Sequence, residues 1–359
     1  MCTRTSCVLC DASLISFSSF KHPTYNCVSV GQLNGTWDIE YGYCSQCFSV
    51  QLTKLADPLI LYDKNYTQPL YNTYLWIQHN ISFIKFIIDH YNSDIHTSIL
   101  EIGSSSFCLG KHLFHYYKDY TVFDYSLEQA VKINNVKYIE GNCEVYPFQT
   151  DTIVMSHVFE HLYEPKLFLQ NCLLHNVKNI FISIPSMNDL SEFHIGSQHT
   201  FSYNEYDIEY IFGLYQYKLE CLQTWNSVDN SFPCLFFYFK LDTVITIERP
   251  IFQRHLYSIQ FLTNPIIVPK RTFLATSGMF SVISYSRIQN KEDIIGVIDV
   301  DKNKHGKLFS CTNLLVYPYE HLQEDDSILI IHPKKENIIK MIQSMHKHIH
   351  ILQNNKDCP

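Results

Sequence analysis

The spacing of hydrophobic residues changes near position 98. Upstream, over 61–97, apolar residues such as Ile77 and Ile81 recur at roughly helical spacing, which predicts a helical segment. Downstream, short apolar runs alternate with helical stretches, notably 126–134 and 164–175. Five of the runs predict buried strands: Ser98–Ile102, Thr121–Phe123, Val136–Ile139, Thr152–Met155 and Asn179–Ile184. Alternating strands and helices predict an α/β fold with a parallel, doubly wound sheet.

Two further strand-like runs, Tyr217–Leu222 and Cys234–Leu241, predict an antiparallel hairpin at the edge of this sheet. A second α/β cycle follows, with strands predicted at Arg271–Ala275, Ile294–Ile298 and Ser327–Ile331 and a helix at Lys335–Lys347. The stretch between the two cycles carries Pro250 and Pro265, which suggests a domain boundary. We therefore predict four segments: a module at 1–60, a helical connector at 61–97, an α/β domain at 98–242 and a smaller α/β domain at 243–359.

Composition narrows the possible classes of protein. With 359 residues, 46% hydrophobic and 17% charged, the chain is long enough for several globular domains. A net charge of -8 without a basic run argues against nucleic acid as the main partner. The first residues lack the apolar core of a signal peptide, and no apolar stretch approaches the length of a membrane span. Thirteen cysteines, an odd number, fit a reducing compartment, so we expect a cytoplasmic protein.

Two C-x-x-C pairs stand out in the N-terminal module. Cys7 and Cys10 form the first pair, and Cys44 and Cys47 form the second. Each pair can direct two thiolates at one metal ion, so together they predict a tetrahedral Cys₄ zinc site. Such a site has no open coordination position, which indicates a structural role. Free thiols are the alternative.

The first strand of the α/β domain ends in I-L-E-I-G, and the loop that follows is the natural place for a ligand. Asp124, at the end of the next strand, is placed to accept hydrogen bonds from ribose hydroxyls. The chain carries no G-x-G-x-x-G at this position, so S-adenosylmethionine suits the site better than a dinucleotide. Only Gly103 of the expected loop glycines is present, and Phe107 occupies a position where a glycine would let a cofactor approach the backbone.

The fourth strand is followed by S-H-V-F-E-H-L, beginning at Ser156. Within it, His157, Glu160 and His161 match the H-x-x-E-H pattern of an inverted metalloprotease motif. That interpretation needs both histidines on one exposed helix face and a third ligand downstream. Because the segment emerges from a buried strand, we interpret it instead as a loop that borders the cofactor.

Histidines elsewhere are harder to interpret from the sequence. His199 follows the fifth strand, where an imidazole of near-neutral pKa would be a suitable general base. Taken alone, one of 18 histidines at a surface is the simpler explanation. His346, His348 and His350 alternate near the C-terminus, and a solvated end of an element is favoured there over a metal site.

Several motifs occur in one order along most of the chain. They are C-V-L-C and C-S-Q-C-F-S-V-Q-L, L-Y-D-K-N-Y (61–66) with a downstream His79, L-E-I-G (100–103), S-H-V-F-E-H-L with Pro165, Gln198–His199, and G-V-I-D-V-D-K-N-K-H-G-K-L-F (296–309). In this order they resemble the zinc-containing sugar C-methyltransferases, which act on nucleotide-linked keto-deoxysugars using S-adenosylmethionine. The resemblance implies an N-terminal zinc module, a central class I methyltransferase domain and a C-terminal Rossmann-like domain.

The resemblance also assigns roles to individual residues. The four cysteines match the zinc ligands, and Glu101, Gly103 and Asp124 match the cofactor-binding strand ends, with Ser156 and His157 bordering the cofactor. Tyr66 matches a tyrosine that approaches the substrate. His199 matches the family's base, which removes the proton alpha to the sugar ketone. This match reverses the preference for a surface histidine. We therefore predict a methyltransferase acting on a nucleotide sugar, with no membrane partner.

The chain also departs from the family pattern. The Tyr and Glu that precede the family's base are Gly196 and Gln198 here, and the aromatic segment after it is shortened to T-F-S. One histidine suffices to deprotonate or align a nucleophile, so an O- or N-methyltransferase is an alternative. The glycine-poor cofactor loop raises a second alternative, a degenerate binding module. A nucleotide-sugar oxidoreductase is a third, although the C-terminal domain lacks a dinucleotide fingerprint.

Overall fold

The N-terminal part of the chain is built from short antiparallel strands. The computed structural model describes residues 2–23, 36–62, 74–90, 98–103, 109–127, 132–186, 198–227, 233–242, 265–277, 279–309, 312–330, 335–345 and 350–353. The first elements are β1 (Cys2–Thr3), β2 (Leu14–Pro23), β3 (Thr36–Cys44), β4 (Val50–Leu52), β5 (Lys54–Leu55), α1 (Pro58–Leu61) and α2 (Tyr74–Asp89). Strands β2, β3 and β4 form a three-stranded sheet, and β1 pairs with β5.

A seven-stranded sheet forms the centre of the molecule. Its strands are β6 (Ser98–Ile102), β7 (Asp119–Asp124), β8 (Val136–Glu140), β9 (Thr152–Ser156), β10 (Asn179–Pro185), β11 (Tyr217–Trp225) and β12 (Cys234–Leu241). The helices of this region are α3 (Gly110–Leu113), α4 (Pro165–Leu174) and α5 (Glu205–Gly213), with a 3₁₀ turn at Phe159–His161.

The spatial order of this sheet is β8-β7-β6-β9-β10-β12-β11, or 3-2-1-4-5-7-6 when β6 is counted as the first strand. Strands β6 to β10 pair in parallel, whereas β12 is antiparallel to both β10 and β11. This is the strand order of the class I methyltransferase fold, as predicted. The chain leaves β6 towards one edge and returns through β9 to the other, so the topological switch point lies between the carboxyl ends of β6 and β9.

Helices cover both faces of the central sheet, which explains why the sequences of its parallel strands are continuous apolar runs. One core contains Leu100 and Ile102 of β6 together with apolar side chains of α4 and α5. The other contains Ile99 of β6 together with Phe83 and Phe86 of α2. Neighbouring β6 residues thus enter opposite cores, the alternation expected of a strand.

The C-terminal sheet repeats the central strand order. Its elements are β13 (Thr272–Ala275), α6 (Met279–Arg287), β14 (Ile294–Ile298), β15 (Val316–Tyr317), β16 (Ser327–Ile330), α7 (Lys335–Met345) and β17 (His350–Gln353), with 3₁₀ turns at Lys291–Asp293, Lys302–Lys304 and Tyr319–His321. All strand pairs are parallel, in the order β15-β14-β13-β16-β17, which is 3-2-1-4-5 counted from β13.

The predicted fold class is confirmed, and most predicted strands lie within two or three residues of the observed ones. The predicted helix over 126–134 is wrong for its described residues, 126–127 and 132–134, which are not helical. There Leu127 N donates to Glu140 Oε2, and Ile133 N donates to the Tyr138 hydroxyl. Side chains thus satisfy amides that a helix would use. The domain boundaries stay predictions.

Candidate functional site

Four thiols converge in the N-terminal module. The Sγ atoms of Cys7, Cys10, Cys44 and Cys47 all lie within 4.8 Å of one another. Cys7 Sγ is 3.6 Å from Cys47 Sγ, and Cys10 Sγ is 3.4 Å from Cys44 Sγ. A tetrahedral ion with Zn–S bonds of about 2.3 Å separates its sulfurs by about 3.8 Å. The cluster therefore has the dimensions of a four-thiolate metal site.

The two C-x-x-C pairs adopt the same backbone conformation. Asp11 N donates to Cys7 O at 3.0 Å, and Phe48 N donates to Cys44 O at 3.0 Å. The residue after each pair, Asp11 or Phe48, is left-handed, with φ of 62° and 59°. Neither residue is the glycine that usually takes this conformation. The fold therefore imposes the same tight turn on both pairs.

The sulfur atoms also accept hydrogen bonds from their surroundings. Cys7 Sγ accepts from Leu9 N at 3.3 Å and from Gln51 Nε2 at 2.9 Å, and Cys44 Sγ accepts from Gln46 N and Cys47 N at 3.4 Å each. Donors of this kind stabilise thiolates and orient metal ligands. Because four protein ligands complete a tetrahedron, such a site can stabilise structure but has no position for a substrate.

The thiol cluster is joined directly to the central domain. Gln51 forms an antiparallel bridge with Phe201, and Leu52 N donates to Thr200 O at 3.0 Å. Arg4 donates to the carbonyl oxygens of Thr200 and Tyr163. The module therefore supports the segment that carries His199.

The predicted cofactor residues lie at the carboxyl edge of the central sheet. Gly103 follows β6 with φ of +81°, and a Cβ added there would lie 2.3 Å from Val158 Cγ2, so a side chain would be both strained and crowded. Asp124 ends the adjacent β7 and is partly exposed. Glu101 is different: it is buried within β6, and its carboxylate accepts from the Tyr120 hydroxyl at 2.5 Å.

Ser156 ends β9, and His157 follows it at the same edge. His157 has φ of +54°, and its N donates to Ser183 O at 2.8 Å. Its Nε2 lies 3.3 Å from His79 Nε2, which in turn lies 2.8 Å from Ser183 Oγ. Burial, followed by the charge of His157, lowers the pKa of His79 well below its ordinary value. The imidazole of His79 is therefore neutral at physiological pH.

Beyond this pair lies a second group of possible metal ligands: Glu160, His161 and His199. Each offers one donor atom, and the three atoms lie within 4.8 Å of one another. The rings of His161 and His199 meet edge to face at 4.8 Å. Burial, followed by His157, lowers the pKa of His161 to about 3, and burial raises the pKa of Glu160 to about 7. The imidazole of His161 is therefore neutral at physiological pH.

A small cleft, with room for about one water molecule, opens beside this group. It is lined by Glu160, Ile184, Pro185, His199, Phe201, Ser202 and Tyr203. Carboxylate and imidazole side chains thus face a space bordered mainly by apolar groups, an arrangement suited to proton transfer or to metal coordination.

The structure gives the positions of most of the predicted site residues, while their roles stay predictions. The structure places His199 beside the S-H-V-F-E-H-L segment, but Tyr66 and the loop at 104–108 lie outside the described residues. Tyr62, four residues before Tyr66, contacts the site instead: its hydroxyl lies 2.7 Å from His161 Nδ1. The L-Y-D-K-N-Y motif was the available signal for it. The helix that a metalloprotease motif needs is absent, because 159–161 form a single 3₁₀ turn.

Solved structures of methyltransferases are similar to about half of the chain. N-methyltransferase NodS from Bradyrhizobium japonicum WM9, in complex with S-adenosyl-L-homocysteine, is 13% identical with a TM-score of 0.40, covering 50% of this chain and 93% of its own. PH0226 from Pyrococcus horikoshii OT3 is 13% identical with a TM-score of 0.40, and the match covers 50% of this chain and 100% of PH0226. A third similar structure is magnesium protoporphyrin IX methyltransferase from Synechocystis PCC 6803 with S-adenosylhomocysteine bound. It is 13% identical with a TM-score of 0.38, and the match covers 46% of this chain and 83% of that one. No protein-family profile and no curated protein matches the chain.

Similarities this low do not show that the proteins share a function. The fold is assigned from the strand order of the central sheet. Among the described residues, no helix has both the length and the apolar character needed to cross a membrane.

Proposed function

We propose that the protein is an S-adenosylmethionine-dependent methyltransferase that C-methylates a nucleotide-linked keto-deoxysugar, with His199 as the general base. The observation that carries this proposal is the position of the cleft lined by Glu160 and His199. It lies at the carboxyl edge of a sheet with the class I methyltransferase strand order. Ligands of such sheets bind outside the carboxyl ends of the strands, near the switch point.

The cofactor would lie over Gly103, with its ribose hydroxyls on Asp124 and with Ser156 and His157 at its border. The residues fit in part: Gly103 makes a left-handed turn at the end of β6, with Val158 packed against it, and Asp124 ends the neighbouring strand. When bound, S-adenosylmethionine supplies an electrophilic methyl group. Glu101 would contribute indirectly, by tying β6 to β7, because its carboxylate already accepts a hydrogen bond from the Tyr120 hydroxyl.

His199 would take the proton alpha to the sugar ketone. The family's glutamate before this base is Gln198 here, but Glu160 reaches the same cluster from the loop after β9. Its carboxylate would stabilise the imidazolium that forms, since a charge pair in a buried site is weakly screened. Tyr66 would approach the sugar. The four cysteines would hold a structural zinc ion that keeps the His199 segment in place.

Calorimetric titration of the zinc-loaded protein with S-adenosylhomocysteine tests the cofactor site first. We expect micromolar binding that Asp124→Ala weakens about tenfold or more, which corresponds to about 1.4 kcal/mol. Absence of binding to folded protein would instead favour the degenerate binding module, and binding of NAD would favour the oxidoreductase.

Transfer of a radiolabelled methyl group to nucleotide-linked keto-sugars tests the base. We expect His199→Ala to lower turnover by about 10²- to 10⁴-fold while leaving S-adenosylhomocysteine affinity nearly unchanged. His175→Ala is the matched control, because His175 caps the far end of α4. Unchanged turnover in His199→Ala would remove the base assignment, and a product methylated on oxygen or nitrogen would replace C-methylation with the alternative chemistry.

A further inference from the structure

Glu160 has an environment that the protein alone does not satisfy. Its side chain is 3% exposed, and neither carboxylate oxygen makes a hydrogen bond to another residue among those described. Oε1 lies 3.3 Å from His157 Nδ1 and 3.9 Å from His161 Nε2, but these contacts lack hydrogen-bond geometry. A buried carboxylate without partners is strongly unfavourable. The position therefore calls for a cation or a proton at the carboxylate.

The surrounding donors are those of an open metal site. One carboxylate and two imidazoles, from Glu160, His161 and His199, lie within 4.8 Å of one another. Bonds of about 2.0–2.2 Å to a first-row ion would separate such donors by about 3–4 Å, so small side-chain rotations would bring all three into range. Two histidines and one carboxylate leave further coordination positions free.

Neighbouring groups hold these donors in place. The Tyr62 hydroxyl lies 2.7 Å from His161 Nδ1, which leaves Nε2 of the same ring turned towards Glu160. Metal-binding histidines usually engage their other ring nitrogen in this way. Thr200 N donates to Glu160 O at 3.0 Å, so the backbone beside His199 is tied to the segment carrying the other two donors.

A second nearby group is less suited to a metal ion. His79, His157 and Cys234 also lie close together, but both ring nitrogens of His79 already have partners, Ser183 Oγ at 2.8 Å and Asn80 Oδ1 at 3.2 Å. Its polar atoms are therefore satisfied within the protein, in contrast to those of Glu160. We interpret this group as support for the orientation of His157.

We propose that Glu160, His161 and His199 bind a divalent first-row metal ion whose open positions face the cleft. The site is separate from the four cysteines. An ion there would polarise a carbonyl or hydroxyl oxygen of a bound substrate. The nature of that substrate rests on the proposed function, whereas metal binding itself does not. An ion bound there would engage His199 as a ligand, so in the metal-bound form solvent rather than His199 would accept the substrate's proton.

The test uses the full-length protein loaded with one equivalent of Zn²⁺, which the four thiolates take up first, and then dialysed against increasing Co²⁺, with both metals counted per chain by mass spectrometry. We expect one zinc ion and one cobalt ion at saturation, and a cobalt absorption spectrum without thiolate charge-transfer bands. Glu160→Gln and His161→Gln should each bind cobalt at least about tenfold more weakly while retaining zinc. Glu164→Gln, an exposed carboxylate four residues from Glu160, should retain both metals.

Three results would overturn the inference: no cobalt beyond the zinc already bound, cobalt with thiolate charge-transfer bands, or equal cobalt affinity in Glu160→Gln. Retained zinc shows that each variant is folded. Titration of the same samples with S-adenosylhomocysteine separates the two proposals. Cofactor binding without cobalt binding would remove the metal site alone, whereas cobalt binding without cofactor binding would remove the methyltransferase proposal alone.

Discussion

The central and C-terminal sheets share the strand order 3-2-1-4-5, yet their carboxyl edges differ in chemistry. In the C-terminal sheet, Asp299 follows β14 and is 5% exposed. Its carboxylate accepts from Ser277 N at 2.8 Å, from Ser277 Oγ, and from Lys304 Nζ at 3.2 Å, and its Oδ1 accepts from Asp301 N at 2.9 Å. In the central sheet, Glu160 is similarly buried, but none of the described residues gives its carboxylate a hydrogen bond, and His157 Nδ1 lies 3.3 Å from its Oε1.

The two carboxylates titrate in opposite directions. Burial alone would raise the pKa of Asp299, but hydrogen bonds from Ser277 and Asp301, together with Lys304, lower it. Burial of Glu160 raises its pKa to about 7. The two sheets share a strand order, but the donors around the buried carboxylate at the carboxyl edge differ. We call an edge closed where those donors satisfy the carboxylate, as at Asp299, and open where they do not, as at Glu160 among the described residues.

The N-terminal module contacts both sheets. Its cysteines pack in the same core as the central domain, and Ile39, Tyr41 and Leu52 pack against the C-terminal sheet. The hydrogen bonds to Thr200, however, reach only the segment beside the open edge. Loss of metal from the module should therefore affect the central site more than the closed edge.

The largest effect is expected from Cys44→Ser. Losing one of four thiolates should abolish stoichiometric zinc binding, and because structural zinc binding contributes on the order of 10 kcal/mol, the variant should unfold at a much lower temperature. Metal content and thermal unfolding measure this. Cys221→Ser, a partly buried cysteine on the edge strand β11, is the control and should change neither. Full zinc content in Cys44→Ser would contradict the four-thiolate site.

An intermediate effect is expected from Asp299→Asn. It removes the charge that Lys304 and the backbone donors satisfy, so the free energy of unfolding should fall by about 2–3 kcal/mol. Because the pKa of folded Asp299 is lowered, its stabilisation is present above the ordinary aspartate pKa, about 4, and is lost as pH falls through the folded value. The difference between the two proteins should therefore shrink below about pH 4.

Urea unfolding at several pH values measures the Asp299 effect, with the exposed Asp325→Asn as control. A difference that persists undiminished to pH 2 would show that the charge of Asp299 is not the source of stability. If Asp299→Asn lost S-adenosylhomocysteine binding at a temperature where the variant is folded, the C-terminal edge would contribute to ligand binding, and the contrast between the two edges would be wrong.

Much of the fold could be predicted from sequence because the buried strands carry continuous apolar runs. Strands β6, β12 and β14 begin and end where predicted. The predicted strand at Arg271 begins one residue later, because Arg271 has φ of +59° and donates to Asp326. The apolar pattern alone does not give the insertion of β12 between β10 and β11, since it shows which runs are strands but not which of two hairpin strands pairs with β10; only the resemblance to class I methyltransferases implied it.

The candidate site was predictable only in part. The C-x-x-C spacing gave the four thiols, and position after a strand gave Gly103, Asp124 and His199. The environment of Glu160 could not be predicted from its motif, because it depends on which groups the fold brings around the carboxylate, and among the described residues none donates a hydrogen bond to it. Burial without partners is a property of packing, and no local pattern along the chain encodes it.

The smallest effect is expected from Gln51→Ala, which tests how the zinc module supports the open edge. Gln51 is buried; its Nε2 donates to Cys7 Sγ and Ser49 Oγ, and its Oε1 accepts from Val8 N at 3.1 Å. Removing the side chain leaves these groups unsatisfied and should lower the free energy of unfolding by about 1–2 kcal/mol. Thermal unfolding measures this, with the exposed Gln46→Ala as control. Because the Gln51 side chain holds Cys7 and Val8 beside the backbone bridge to Phe201, its loss should loosen that bridge and lower cobalt affinity at the His199 cluster, whereas Gln46→Ala should not. Equal cobalt affinity in both would show that the module stabilises the chain without positioning the open edge.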